Sequence, residues 1–240
     1  MFTDKRVYID YDSTMFDFAS KLEEHINKKY SAGFRMRNIF TYDFNKSLGN
    51  MPISELSDVF KGLPKEDIIK EVTEFLTTGT SSYLLGGVRA QDIFNEMSEL
   101  SLYADSVCLV DKSVLSVFCS RREILPVVNS GIPFSDSTTD ILSIKKKRIK
   151  ELFKSNRYSE CYTVGSKPVH GDAFAVIDDD LGYLSRYANA GSNALLLLID
   201  QPYNKFKYNI KYSAFEGKIK RVKDINEALK CVSYKLDNII

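Results

Sequence analysis

Short apolar runs alternating with longer amphipathic stretches constrain this chain more than any other feature. Five runs, "RVYID", "VLSVFC", "ECYTV", "FAVID" and "ALLLLID", read as buried strands. Between them "MFDFASKLEEHINKKY", "RAQDIFNEMSELSLY", "TDILSIKKKRIKELFK" and "LGYLSRYANA" carry helical spacing. Strands separated by helices pair in parallel through crossover connections. The pattern therefore predicts an α/β fold, an open Rossmann-like parallel sheet with helices on both faces. Such sheets bind ligands beyond the carboxyl ends of their strands, and here several strand runs end on Asp, Ser or Gly.

Residues from about 15 to 90 hold helical patterns and turns but no convincing long strand. "ELSDVF" and "KEDIIKEVTEFLTTG" are amphipathic, with acidic first turns and a stop at Gly79. The expected organisation is a core made of residues 1–14 and 91–240, with residues 15–90 inserted after the first strand as a small helical cap. An insertion at that point hangs over the carboxyl edge of the sheet.

The charge balance excludes a global polyanion-binding surface, since 33 basic residues face 32 acidic ones. The longest dense apolar run, "ALLLLI", is too short to span a bilayer, and the start "MFTDKRVYID" lacks the apolar region of a secretory signal. The expectation is a cytoplasmic protein with no membrane partner. Cys108, Cys119, Cys161 and Cys231 are far apart and form no CxxC pair, which suits reduced thiols and gives no zinc site.

Two places concentrate acid. "VYIDYD" ends the first strand on Asp10 and Asp12, and "AVIDDD" ends a later one on Asp178, Asp179 and Asp180. Alternate residues of a strand point the same way, so Asp10 and Asp12 face one ligand together. Carboxylates gathered at adjacent strand ends repel and raise one another's pKa values unless a cation joins them. An all-oxygen site of this kind suits Mg²⁺ and metal-assisted phosphoryl chemistry. His25 and His170 have no GxSxG or similar nucleophile motif beside them, so a hydrolase triad has no support. His170 follows Lys167 closely enough to reach the mouth of the site. The run "KKKRIK", with Ile144 and Ile149 on its apolar side, reads as a solvated helix face.

"YIDYDST", then "FCSRR", "GSKPVHGDAFAVIDD" and "AGSNALLLLIDQPYN", resemble the haloacid dehalogenase superfamily, and within it the 5'(3')-deoxyribonucleotidases and their phage and bacterial relatives. The ending "RVKDINEAL" is similar to their last helix. The resemblance implies that Asp10 is the nucleophile and Asp12 the general acid and base. It also implies that Asp10, the backbone carbonyl of Asp12 and Asp179 hold Mg²⁺, with Asp178 as ligand or neighbour. Lys167 matches the lysine that neutralises the phosphoryl oxygens. Ser120, after the run "VLSVFC", matches the phosphate-binding hydroxyl, with Arg121 beside it. "VCLVDKS" offers a competing strand ending on Asp111 or Ser113.

The implied activity is that of a Mg²⁺-dependent phosphomonoesterase acting on (deoxy)nucleoside monophosphates, a small-molecule partner rather than a nucleic acid. Two other readings stay open. One is a catalytically silent nucleotide- or protein-binding relative, and the other a polynucleotide-end phosphatase, for which "KKKRIK" has to line a groove. Phe16, Phe18, Phe40, Tyr42 and Phe44 are expected to be mostly cap core, with a base-stacking role open for one or two.

Overall fold

The computed structural model describes residues 4–36, 84–85, 88–133, 135–201, 204, 215 and 217–238. The chain runs through β1 (Lys5–Asp10), α1 (Phe18–Tyr30), β2 (Leu84–Leu85), β3 (Val88–Arg89), α2 (Ala90–Glu96), α3 (Leu100–Asp105) and α4 (Lys112–Cys119). It continues through β4 (Ile124–Ile132), α5 (Thr138–Phe153), β5 (Ser159–Val164), β6 (Ala173–Asp178), α6 (Leu181–Asn189), β7 (Leu195–Ile199), β8 (Ile219–Val222) and α7 (Ile225–Asp237).

Six strands form one sheet in the order β5-β4-β1-β6-β7-β8, every pair parallel. This is the expected Rossmann-like α/β architecture. Alternation along the strands loads both faces. Val7 and Ile9 join Phe118 of α4, Ile149 of α5 and Val232 of α7 in one buried cluster. Tyr8, Val176 and Leu198 join Leu184 and Tyr187 of α6 on the opposite face. A third cluster gathers α1, α2 and α3 through Leu22, Ile26, Ile93, Leu102 and Tyr103 around Ile132, the last residue of β4. These helices sit at the carboxyl edge of the sheet.

The run "VLSVFC" is not a strand. It lies in α4, whose N-cap Asp111 accepts from the Ser113 amide, and it buries Leu115 and Phe118 three residues apart while Val117 is exposed. The strand position belongs instead to "ILPVVNSGI", the nine residues of β4, where Pro126, Asn129 and Gly131 conceal the strand pattern. Pro126 is tolerated because pairing of β4 with β5 begins only at Val127. Of the segment expected to form the cap, residues 37–83 lie outside the described residues, including "ELSDVF", "KEDIIKEVTEFLTTG", Phe40, Tyr42 and Phe44. No helix among the described residues is long and apolar enough to cross a membrane.

Candidate active site

The strand order reverses direction at β1, with β4 on one side and β6 on the other, so a crevice opens past their carboxyl ends. Register decides what meets there. Ile9 pairs with Ile177, which sets Asp10 beside Asp178 on strands about 4.8 Å apart. Asp10, Asp178 and Asp179 are all buried, and each offers a carboxylate oxygen within 4.8 Å of the others'.

Lys167 bridges this cluster. Its Nζ donates to Asp10 Oδ1 at 2.8 Å and to Asp178 Oδ2 at 2.5 Å. The loop that carries it is fastened from α6. Arg186 donates to the Lys167 carbonyl at 2.7 Å, the Tyr183 hydroxyl donates to the Pro168 carbonyl at 2.9 Å, and the Tyr183 ring lies 4.5 Å beneath the ammonium. Gly131 permits the close approach of that loop, because a Cβ there would lie 3.0 Å from the Gly165 carbonyl oxygen.

Burial pushes the carboxyls of Asp10 and Asp178 up, and a neighbouring carboxylate adds to each, Asp12 to Asp10 and Asp10 to Asp178, while Lys167 pulls both down without restoring an ordinary carboxylate. Asp178 is pushed up to about 8. For Lys167 burial works against the charge, but the two carboxylates outweigh it and hold the ammonium well above its usual range. One ammonium does not neutralise three buried carboxylates. A divalent cation with oxygen ligands fits this donor set, and Asp10, Asp178 and Asp179 are the residues that would hold it.

The turn after β1 is tightly closed. The Tyr11 carbonyl accepts from the amides of Met15 and Phe16, and Ser13 takes a left-handed conformation at φ 58° while its hydroxyl accepts from the Ala19 amide. Thr14 donates to Asp179 Oδ1 at 3.2 Å, tying this turn to the end of β6. The loop after β7 supplies a second tie. Asn204 is buried and donates to the carbonyls of Asp179 and Ile199, while its own oxygen accepts from the Gln201 amide and from Arg221 of β8.

Asp12 lies on the β4 side of Asp10, away from Asp178 and Asp179. Its Oδ2 accepts from Lys145, and Ser130 of β4 lies 3.4 Å from the same oxygen. Lys145 belongs to "KKKRIK", and it is fully buried rather than solvated. Arg148 of the same run is also internal, donating to Tyr103 and Ser106 over the ring of Phe16. The face was legible after all. Ile141, Lys145, Ile149 and Phe153 recur every four residues, which puts the lysine in the middle of the buried stripe. Two of its five cations are thus turned inward, while Lys146, Lys147 and Lys150 are exposed.

Ser120 and Arg121 do not reach the site. Ser120 caps the C-terminus of α4 and donates to the Val117 carbonyl, and Arg121 pairs with Asp237 at the end of α7. Both precede β4, a strand about 26 Å long whose far end is at the site. Ser113, in the first turn of α4, is bound to Asp111. The hydroxyl that stands next to Asp12 is Ser130, and "VVNSG" is the sequence signal that could have found it. His170 stacks on Tyr8, with ring centroids 4.0 Å apart, and His25 pairs with Glu96 on α2. Phe16 is core, stacked on Tyr11.

Fold and site together define an α/β protein with an acidic, lysine-bridged centre at the switch point of a parallel sheet. No protein-family model matches the chain, and no curated protein matches it. Solved structures similar to it include CbbY from Rhodobacter sphaeroides in complex with phosphate, 13% identical with a TM-score of 0.47 over 94% of this chain and 96% of that one. A mutant of the same protein in complex with xylulose-(1,5)bisphosphate gives the same figures. Similarity at that level leaves the reading of this chain to its own residues.

Proposed function

We propose that the chain is a phosphomonoesterase of the haloacid dehalogenase type, dependent on Mg²⁺ and acting on (deoxy)nucleoside monophosphates. The observation that carries the reading is Lys167 bridging Asp10 and Asp178 within the three-carboxylate cluster. Asp10 attacks phosphorus, an O–P bond forms to its carboxylate, and the ester O–P bond breaks. Asp12 gives its proton to the leaving oxygen, then takes one from the water that attacks the aspartyl phosphate, releasing phosphate and restoring Asp10. Lys167 offsets charge on Asp10 and on the phosphoryl oxygens, and Ser130 offers a hydroxyl at the edge of the same crevice. Bound Mg²⁺ supplies a Lewis acid that neutralises phosphoryl charge.

The substrate class follows from the resemblance of "YIDYDST", "GSKPVHGDAFAVIDD" and "DQPYN" to deoxyribonucleotidases, and the cap over residues 15–90 is where base and sugar would be met. A panel of nucleoside monophosphates, sugar phosphates and end-phosphorylated DNA, assayed for phosphate release with and without Mg²⁺, tests the proposal. Mg²⁺-dependent release from mononucleotides is expected, abolished in Asp10→Asn with the fold intact. Turnover in Asp10→Asn above a tenth of wild type removes Asp10 from its role, and preference for another ester class removes the nucleotide.

A further inference from the structure

Lys145 has no role in the chemistry set out above, yet no ammonium in the described chain is more enclosed. Its side chain is 0% exposed. The rings of Tyr11 and Tyr103 lie 4.8 and 4.9 Å from Nζ. Three acceptors meet it, namely Asp12 Oδ2, Ser130 Oγ at 2.8 Å and the Gly131 carbonyl at 3.3 Å. An ammonium has three donors and no acceptor, so Lys145 is saturated by the protein and has none left for a phosphate. A buried cation persists only where its counter-charge and hydrogen bonds are both in place.

We infer that Lys145 is a positioning residue for Asp12, holding one carboxylate oxygen so that the other meets the leaving group. The two oxygens differ in just this way, since Oδ2 carries the Lys145 and Ser130 contacts while Oδ1 is buried with no hydrogen-bond partner among the described residues. The same ammonium occupies a lone pair of Ser130 and leaves its hydrogen free. A hydroxyl that accepts from Lys145 must point its hydrogen elsewhere, and the available acceptors, Gly131 O at 3.1 Å and Asp12 Oδ2 at 3.4 Å, are long enough for a phosphoryl oxygen to compete. This inference rests on the acid and base role proposed for Asp12.

The test compares leaving groups. An alkyl phosphate needs a proton on its departing oxygen and 2,4-dinitrophenyl phosphate does not, and kcat/KM reports the step in which that proton is given. Lys145→Met should lower kcat/KM about 100-fold on the best alkyl phosphate of the panel and less than about fivefold on the dinitrophenyl ester. Asp12→Asn combined with Lys145→Met should fall no further than Asp12→Asn alone. Equal losses on both esters, or losses that multiply in the double variant, overturn the inference. A thermal comparison reads the contact without activity or a Lys145 variant. Asp12→Ala removes one of the ammonium's three acceptors while Asp12→Asn keeps an oxygen there, so Asp12→Ala should melt more than about 5 °C below Asp12→Asn. Equal melting temperatures also overturn it. If wild type releases phosphate from no ester, the proposed function fails while this thermal pair still decides the contact.

Discussion

Stability without metal should fall as pH rises, and Mg²⁺ should offset much of the fall. In the native state the Asp178 carboxyl is pushed up to about 8, against 3.8 for an ordinary aspartate, mainly by burial. Asp10 is raised in the same direction. Between those values the native state binds more protons than the unfolded state, so the stability these two carboxyls contribute is full below about pH 4 and is lost progressively up to about pH 8. By neutral pH the loss from Asp178 alone is on the order of 4 kcal/mol, a large part of a typical folding free energy. Lys167, raised well above its usual range, contributes stability that persists across this window and is lost only at more alkaline pH. The assay is thermal denaturation from pH 5 to 8 in chelator or in Mg²⁺ at about 100 times its dissociation constant. Metal at that concentration adds about 2.7 kcal/mol, or roughly 5–10 °C in a chain of this size, at pH 8 and little at pH 5, where protons occupy the ligands. Asp178→Asn isolates the cause, because its stability advantage over wild type in chelator should grow with pH. A melting temperature in chelator that rises from pH 5 to 8, or a Mg²⁺ shift equal at both ends, refutes the assignment of these carboxylates.

Ser130→Ala should lower kcat/KM by roughly 10- to 100-fold as a phosphoryl hydrogen bond is lost, whereas Ser120→Ala, on an exposed helix end, should stay within about twofold of wild type. Steady-state kinetics on the two variants separates the positions, and the reverse ranking would restore Ser120. Asn204→Ala leaves the carbonyls of Asp179 and Ile199 without their donor, at about 1–3 kcal/mol for a buried unsatisfied group. A lower melting temperature together with weaker Mg²⁺ binding by calorimetry is expected. Unchanged metal affinity would confine Asn204 to a structural role.

What could be read in the sequence divides by range. Asp10, Asp12, Asp178 and Asp179 were legible because strand-end acids announce themselves locally, as apolar runs that stop on carboxylates. The parallel sheet was legible from the alternation of periods. β4 was not, since a strand paired on both sides can carry Pro where one neighbour has yet to begin and Asn, Ser and Gly where it lines a site. Function had replaced the very residues that mark a strand. α4 was mistaken for a strand because a short apolar segment satisfies both periods, and only the Asp111 cap and the burial of Leu115 with Phe118 decide between them.

Lys145 shows a deeper limit. Its place in the buried stripe can be read from spacing, but the sequence has no local mark for the carboxylate 133 residues away that lets a lysine stand there. Its burial makes sense only through the charge of the whole site. Asp10, Asp12, Asp178 and Asp179 carry four negative charges when ionised, and Lys145 and Lys167 return two. Each lysine serves a different pair, Lys167 between Asp10 and Asp178 and Lys145 on Asp12. Two charges are left over, and a dication held as proposed would match them. The division is not complete, since Asp12 still raises the carboxyl of Asp10 and Lys145 still lowers it across the two residues that separate them on one strand end.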